Sequence, residues 1–160
     1  MKIKLLSFFV VIALMSSCGG GDKPSDSHKS ADKPKSMVKK VEQKAQSSDP
    51  MSNKGIGPVK SVTLGDFDQG LADKGKAVYK AKCTACHKPK KRFIGPAPLG
   101  ILERRSPEWI MNMILNPEEM VKNDPIAKKL LAEFSAPMAN QNLTEDEARS
   151  VLEYFRTLKK

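Results

Sequence analysis

Cys83-Thr84-Ala85-Cys86-His87 is the stretch on which the reading of this chain turns. A Cys-x-x-Cys-His run is the signature of covalent haem attachment. Each sulfur adds to one vinyl group of a porphyrin as a thioether. The two-residue gap sets the sulfurs at the separation of those vinyls, and the adjoining histidine comes to lie beneath the iron. Other uses of paired cysteines fit less well. A thioredoxin-like pair needs a βαβ context, and no strand pattern precedes Cys83. A structural zinc site needs four ligands, whereas the chain has three cysteines and two histidines in all. Of these, Cys18 and His28 lie in an N-terminal region of different composition. The motif therefore predicts one haem c, bound through Cys83 and Cys86, with His87 as the proximal iron ligand.

Toward the N-terminus, residues 1–18 read as an export signal. Lys2 and Lys4 form a short basic region, Leu5 to Met15 is almost wholly apolar, and Ser16 and Ser17 precede Cys18. The apolar run is shorter than the roughly 20 residues that span a bilayer. A cysteine directly after small residues resembles the lipobox of bacterial lipoproteins, with Met15 where Leu is more usual and Leu14 one place earlier. That resemblance implies a diacylated Cys18 and a periplasmic, membrane-anchored lipoprotein, since more than one acyl chain anchors stably. The cysteine count then closes: Cys18 carries lipid, Cys83 and Cys86 carry haem, and no odd thiol remains in an oxidising compartment.

Residues 19–65 are dominated by Lys, Ser, Asp and Pro and contain no aromatic residue. Such a stretch buries too little surface to offset its ordering entropy. It predicts a disordered tether with a root-mean-square reach on the order of 40 Å. The chain carries a net charge of +10, and 17 basic against 13 acidic residues fall from Asp66 onward. Lys80, Lys82, Lys88, Lys90, Lys91 and Arg92 bracket the haem motif. A basic rim at a haem edge steers encounter with acidic redox partner proteins. Nucleic acid is a poor alternative for an exported haem protein, and the basic tether suits an anionic lipid surface.

Residues 66–160 read as one small all-α domain, helices joined by Pro/Gly loops. A first helix is expected from about Gln69 to the motif, with Leu71, Val78 and Tyr79 as apolar contacts and Gly75 as a point of close helix approach. Ser106-Pro107-Glu108 starts a second helix with Trp109, Ile110, Met113 and Ile114 on one face. Asn116-Pro117 reads as a short turn, and Asp124-Pro125 begins another helix. Thr144-Glu145-Asp146-Glu147 is a capping box ahead of the stripe Ala148, Val151, Leu152, Phe155 and Leu158.

Taken together, the last 95 or so residues resemble the class I cytochrome c family, with Gly75 and Tyr79 in the places of its first-helix Gly and aromatic, and Tyr154 matching an aromatic of its last helix. The resemblance implies N- and C-terminal helices crossing around one covalent haem. It also implies that the carbonyl of Pro96, in Gly95-Pro96-Ala97-Pro98-Leu99, accepts a hydrogen bond from the proximal histidine. Trp109 is open to two readings: a place beside the haem with its indole N–H reaching a propionate, as in some family members, or plain packing in the core.

The second axial ligand decides the chemistry. No further histidine lies in the domain, and Met/His ligation suits electron transfer. Met111 and Met113 sit on a packing helix, and Met120 lies in a charged segment. Met138, in the loop Ala136-Pro137-Met138-Ala139-Asn140 before the capped helix, can be pointed across a haem face. The family places its ligating Met in such a loop, often followed by Pro; here Pro137 precedes and Ala139 follows. With both axial sites filled, the expectation is an electron carrier with no catalytic residues. The alternative is a haem-based gas sensor or peroxidase-like domain with an open axial site. The stretch from Arg104 to Met120 also resembles cytochromes accompanying bacterial nitrous-oxide reductases, which implies that periplasmic copper enzyme as a partner.

Overall fold

Proline and a small polar residue set three successive helix starts. In the computed structural model, which describes residues 49–160, Ser106 caps α2 (Pro107–Leu115) by accepting from the Trp109 amide. α3 (Pro117–Asn123) follows after Asn116 alone. Asp124 then opens α4 (Pro125–Phe134), its carboxylate accepting from the amides of Ile126 and Ala127. In each, proline at the first position lacks only an N–H that the helix would leave unpaired. α1 (Gln69–Lys82) begins on Asp68 and α5 (Glu145–Phe155) on the Thr144/Glu147 capping box. A 3-10 turn spans Ile101–Glu103. Among the described residues the secondary structure is entirely helical, as expected, and no helix is long and apolar enough to cross a membrane.

The first and last helices pack closely on each other. Gly75 makes this possible: a Cβ there would overlap the Ser150 carbonyl on α5. Tyr79, Tyr154 and Phe155 pack around the crossing, with ring centroids 5.4–6.1 Å apart. A fully buried carboxylate, Glu153, joins the two helices. It accepts from the Asp68 amide at the start of α1 and pairs with Arg149 and Arg156 at 2.6 and 2.7 Å. Burial alone would raise its carboxyl, but the amide and the two guanidiniums outweigh that and hold it below the usual carboxylate range.

Two expectations are corrected. Asn116-Pro117 opens the seven-residue helix α3 rather than a turn. The tether does not reach residue 65: residues 53–62 lie as an ordered strap against α2. Val59 and Asn53 are buried. Asn112 on α2 accepts from the Val59 amide and donates to the carbonyls of Lys54 and Val59. Glu108 accepts from the Val62 amide, and Asn116 donates to the Ile56 carbonyl. Met120, in its charged segment, is fully buried, its sulfur 2.9 Å from the Ile56 amide. The strap is ordered because Val59 enters the core with Ile56 and Val62 packed against it, and because side chains of α2 and α3 take over the hydrogen bonds its backbone would otherwise give to water. The signal segment with Cys18, and residues 19–48 of the tether, lie outside the described residues.

Candidate haem-binding cleft

Where α1 ends, the chain turns on itself and presents the motif. The amides of Cys86 and His87 both bond to the Cys83 carbonyl, and Thr84 Oγ1 bonds back to the Lys80 carbonyl. Both thiols are free, and burial together with Cys86 pushes the Cys83 thiol up to about 11. Tyr79, one turn back on α1, donates its hydroxyl to the His87 carbonyl at 2.9 Å. The far side of the histidine is set by the next loop. His87 Nδ1 lies 2.8 Å from the Pro96 carbonyl oxygen, which can only accept, so the proton belongs on Nδ1. Nε2 then keeps its lone pair free, available to coordinate a metal. Gly95 lies flat against the ring; a Cβ there would collide with all three of the ring atoms nearest to it, both nitrogens included.

These groups open onto one cleft. Cys83, Cys86, His87, Pro96 and Trp109 line it together with the loop Ala136–Ala139, so the residues singled out from the sequence, Met138 included, come together. The rest of the lining is mostly apolar, from Ile110 and Ile114 on α2, Leu130 and Phe134 on α4, and Val151 and Phe155 on α5. Residues in the left-handed region bracket the Met138 loop: Ser135 (φ 52°) ends α4, and Asn142 (φ 53°) precedes α5. A second methionine, Met113, also lines the cleft from α2. Met111 is buried in the core.

One expected contact is replaced. The indole N–H of Trp109 donates to Asp124 Oδ1 at 3.1 Å, so its single donor is not directed at a propionate. Asp124 is itself fully buried and also accepts from Asn53 Nδ2 at 2.6 Å. Lys82, Arg104 and Arg105 are the cations that line the cleft, and the two arginines stand together on its wall. Arg104 donates to the carbonyls of Ala97 and Leu99, shaping the loop after Pro96. Arg105 Nε is buried with no hydrogen-bond partner, and neither guanidinium has a carboxylate ion-pair partner among the described residues. Burial and then Arg104 push the Arg105 guanidinium down from its ordinary value, with Asp124 pulling the other way. An orphaned donor beside two adjacent guanidiniums at the wall of an apolar cleft is the counterpart of a flat apolar macrocycle that carries acids at one edge. The residues present fit a haem.

Arg105 and Gly95 were not singled out in the sequence. The Arg104-Arg105 pair looks like any surface basic doublet, and nothing along the chain says that one member is enclosed.

Comparison with known proteins agrees with this geometry. A family model described as Cytochrome c matches residues 72–159. A cytochrome c-553-like protein of Synechocystis is 26% identical over 91 residues, covering 56% of this chain and 71% of that protein. The solved cytochrome c of Rhodothermus marinus is 44% identical, with a TM-score of 0.62 over 64% of this chain and 89% of that one. An engineered form of it is 43% identical with the same TM-score, covering 64% and 90%.

Proposed function

The chain belongs to the cytochrome c family and carries one covalent haem c, and from that membership we propose a lipid-anchored monohaem electron carrier with His87 and Met138 as axial ligands. The observation that carries this is the convergence of the motif, the histidine held by Pro96 and the Met138 loop on a single apolar cleft. In this reading Cys83 and Cys86 hold the macrocycle, and Arg105 Nε–H holds a propionate. The bound haem supplies a one-electron ferric/ferrous couple. The protein does the rest by holding still. The Pro96 carbonyl fixes the His87 ring and raises its basicity, Gly95 leaves room for it, and the Met138 loop is fixed at both ends by helices. With both axial positions filled, small ligands would be excluded from the iron, and the exposed Cys86 marks the part of the cleft open to solvent, where a partner could approach.

The test is a pair of variants. Met138→Ala should keep covalent haem, lower the reduction potential and admit carbon monoxide to the ferrous iron, while Met113→Ala should keep covalent haem and show neither of the other two changes. Met/His ligation typically raises the potential, so the drop should be clear in a potentiometric titration monitored by absorbance. An unchanged Met138→Ala spectrum would refute the ligand assignment and favour an open-site sensor or peroxidase-like domain.

Export to the periplasm and a lipid at Cys18 belong to the same proposal, supported by the pattern of residues 1–18. Labelling with a radioactive fatty acid that is lost in Cys18→Ser checks it. The resemblance at residues 104–120 names one candidate acceptor, a nitrous-oxide reductase. Reduced protein mixed with that enzyme should reoxidise only when nitrous oxide is added.

A further inference from the structure

Asp124 does more than a helix cap requires. Its carboxylate is fully buried, and among the described residues every hydrogen bond it makes is accepted from an N–H. The amides of Ile126 and Ala127 give the capping bonds of α4. The Trp109 indole adds a bond at 3.1 Å, and Asn53 of the strap adds one at 2.6 Å. Acceptance alone is the pattern of an ionised carboxylate. Capping does not ask for that charge, since asparagine caps a helix as well as aspartate does. A charge taken out of water is costly unless it is paired, and Asp124 has no ion-pair partner among the described residues. The strap completes the enclosure. The Asn53 carbonyl accepts from Ser106 Oγ at 2.6 Å, so this one strap residue is pinned both to the start of α2 and to Asp124. The enclosed charge stands directly behind the cleft. Trp109, whose indole it holds, lines the wall, and so does Arg105, whose guanidinium lies 5.3 Å from the Trp109 ring centroid.

We propose that Asp124 is a fixed negative charge, sealed behind Trp109 by Asn53 of the strap, that lowers the reduction potential of the haem held in this cleft. The proposal rests on the carrier reading above and goes beyond it by naming a residue that tunes the couple without touching the cofactor. Ferric iron carries one more unit of positive charge than ferrous iron, so a nearby negative charge favours the ferric state. Arg104 and Arg105 on the wall act in the opposite sense. Asp124 offsets part of their effect, so the wall keeps two guanidiniums for the acids of the macrocycle without the full rise in potential they would impose. Because the carboxylate is enclosed, salt screens it far less than it screens charges at the surface.

The experiment measures midpoint potentials of the full haem-loaded chain by potentiometric titration. Asp124→Asn and Asp124→Ser both keep a neutral cap on α4 but differ in size. Each should raise the potential, by roughly threefold or more in the ferric-to-ferrous ratio, about 28 mV at ~59 mV per tenfold for one electron. The rise should persist from low salt to about 1 M. The exchanged pair Asn53→Asp/Asp124→Asn keeps a carboxylate facing an amide but moves the charge outward into the strap, and it should recover part of the rise. Trp109 is the chain's one tryptophan, so its indole N–H resonance in the ferrous protein checks that Asp124→Asn keeps the site folded. Potentials equal to wild type in both neutral variants overturn the proposal. So does a rise that about 1 M salt abolishes, or one that the exchanged pair leaves fully in place, since either would assign it to something other than the enclosed charge. Absence of any reversible one-electron couple from wild type would sink the carrier reading itself.

Discussion

At the scale of single residues, the cleft depends on groups with no chemistry of their own. Gly95 is the clearest case. Its lack of a side chain lets the chain pass against the His87 ring, and its neighbour Pro96 holds Nδ1. Gly95→Ala must move either the ring or the Pro96 carbonyl. We expect covalent haem to be retained, because the cysteines are untouched, but the ligand field to weaken. The check is the ferric absorption spectrum and the pH at which the axial ligand set changes, which should fall below that of wild type. Pro96 could be anticipated from family resemblance; Gly95 reads in the sequence only as half of a turn dipeptide. Trp109 shows a choice that the sequence left open. A lone tryptophan near the haem invites a propionate partner, yet its donor is taken by Asp124, 15 residues on, whose burial no local pattern announces.

At the scale of elements, the crossing of α1 and α5 is the frame for the cleft, since both contribute to its wall. Gly75 lies where the helices touch, and any side chain there meets the Ser150 backbone, which cannot swing away as a side-chain tip can. Gly75→Ala gains about 1 kcal/mol in intrinsic helix propensity. Overpacking typically costs 1–3 kcal/mol, and the contact with backbone puts the net change on the destabilising side by about 1–2 kcal/mol. Denaturant unfolding of the haem-loaded protein measures this directly; a gain in stability would mean the helices can separate freely. Helix starts were readable because capping is local: Ser106, Asp124 and Thr144 each act on amides two or three residues away. α3 escaped because Asn116 makes no side-chain cap bond and the helix is only seven residues long.

At the scale of the whole molecule, two polar links join parts distant in sequence. Glu153 ties α5 to the start of α1 and to Arg156, which also reaches the carbonyls of Gly65 and Asp66. Its carboxyl is held below its ordinary value of 4.5 in the folded protein. The link therefore stabilises fully above that value and is lost as pH falls through the lower, folded one. Melting temperature should drop with acidification in that window. Glu153→Gln should melt lower at pH 7 and lose part of the acid dependence; an unaltered slope would show that other carboxylates govern it. Asn112 is the second link, with three hydrogen bonds to the strap. Since the strap groups can turn to water once released, Asn112→Ala should cost about 2 kcal/mol. It should also open residues 54–62 to limited proteolysis without releasing haem.

The amino-acid sequence by itself determined the cofactor and most of the helices, because both are written over short distances: five consecutive residues for the haem, a cap and a period for each helix. The bottom of the strap, the surroundings of Trp109 and the orphaned Arg105 donor were decided only when the chain folded. In each, a polar group finds or lacks a partner on another element: Asn53 with Asp124 across 71 residues, Val59 with Asn112 across 53. A buried polar group is governed by whichever donor or acceptor the fold brings within about 3 Å, and that neighbour is a property of the tertiary packing alone.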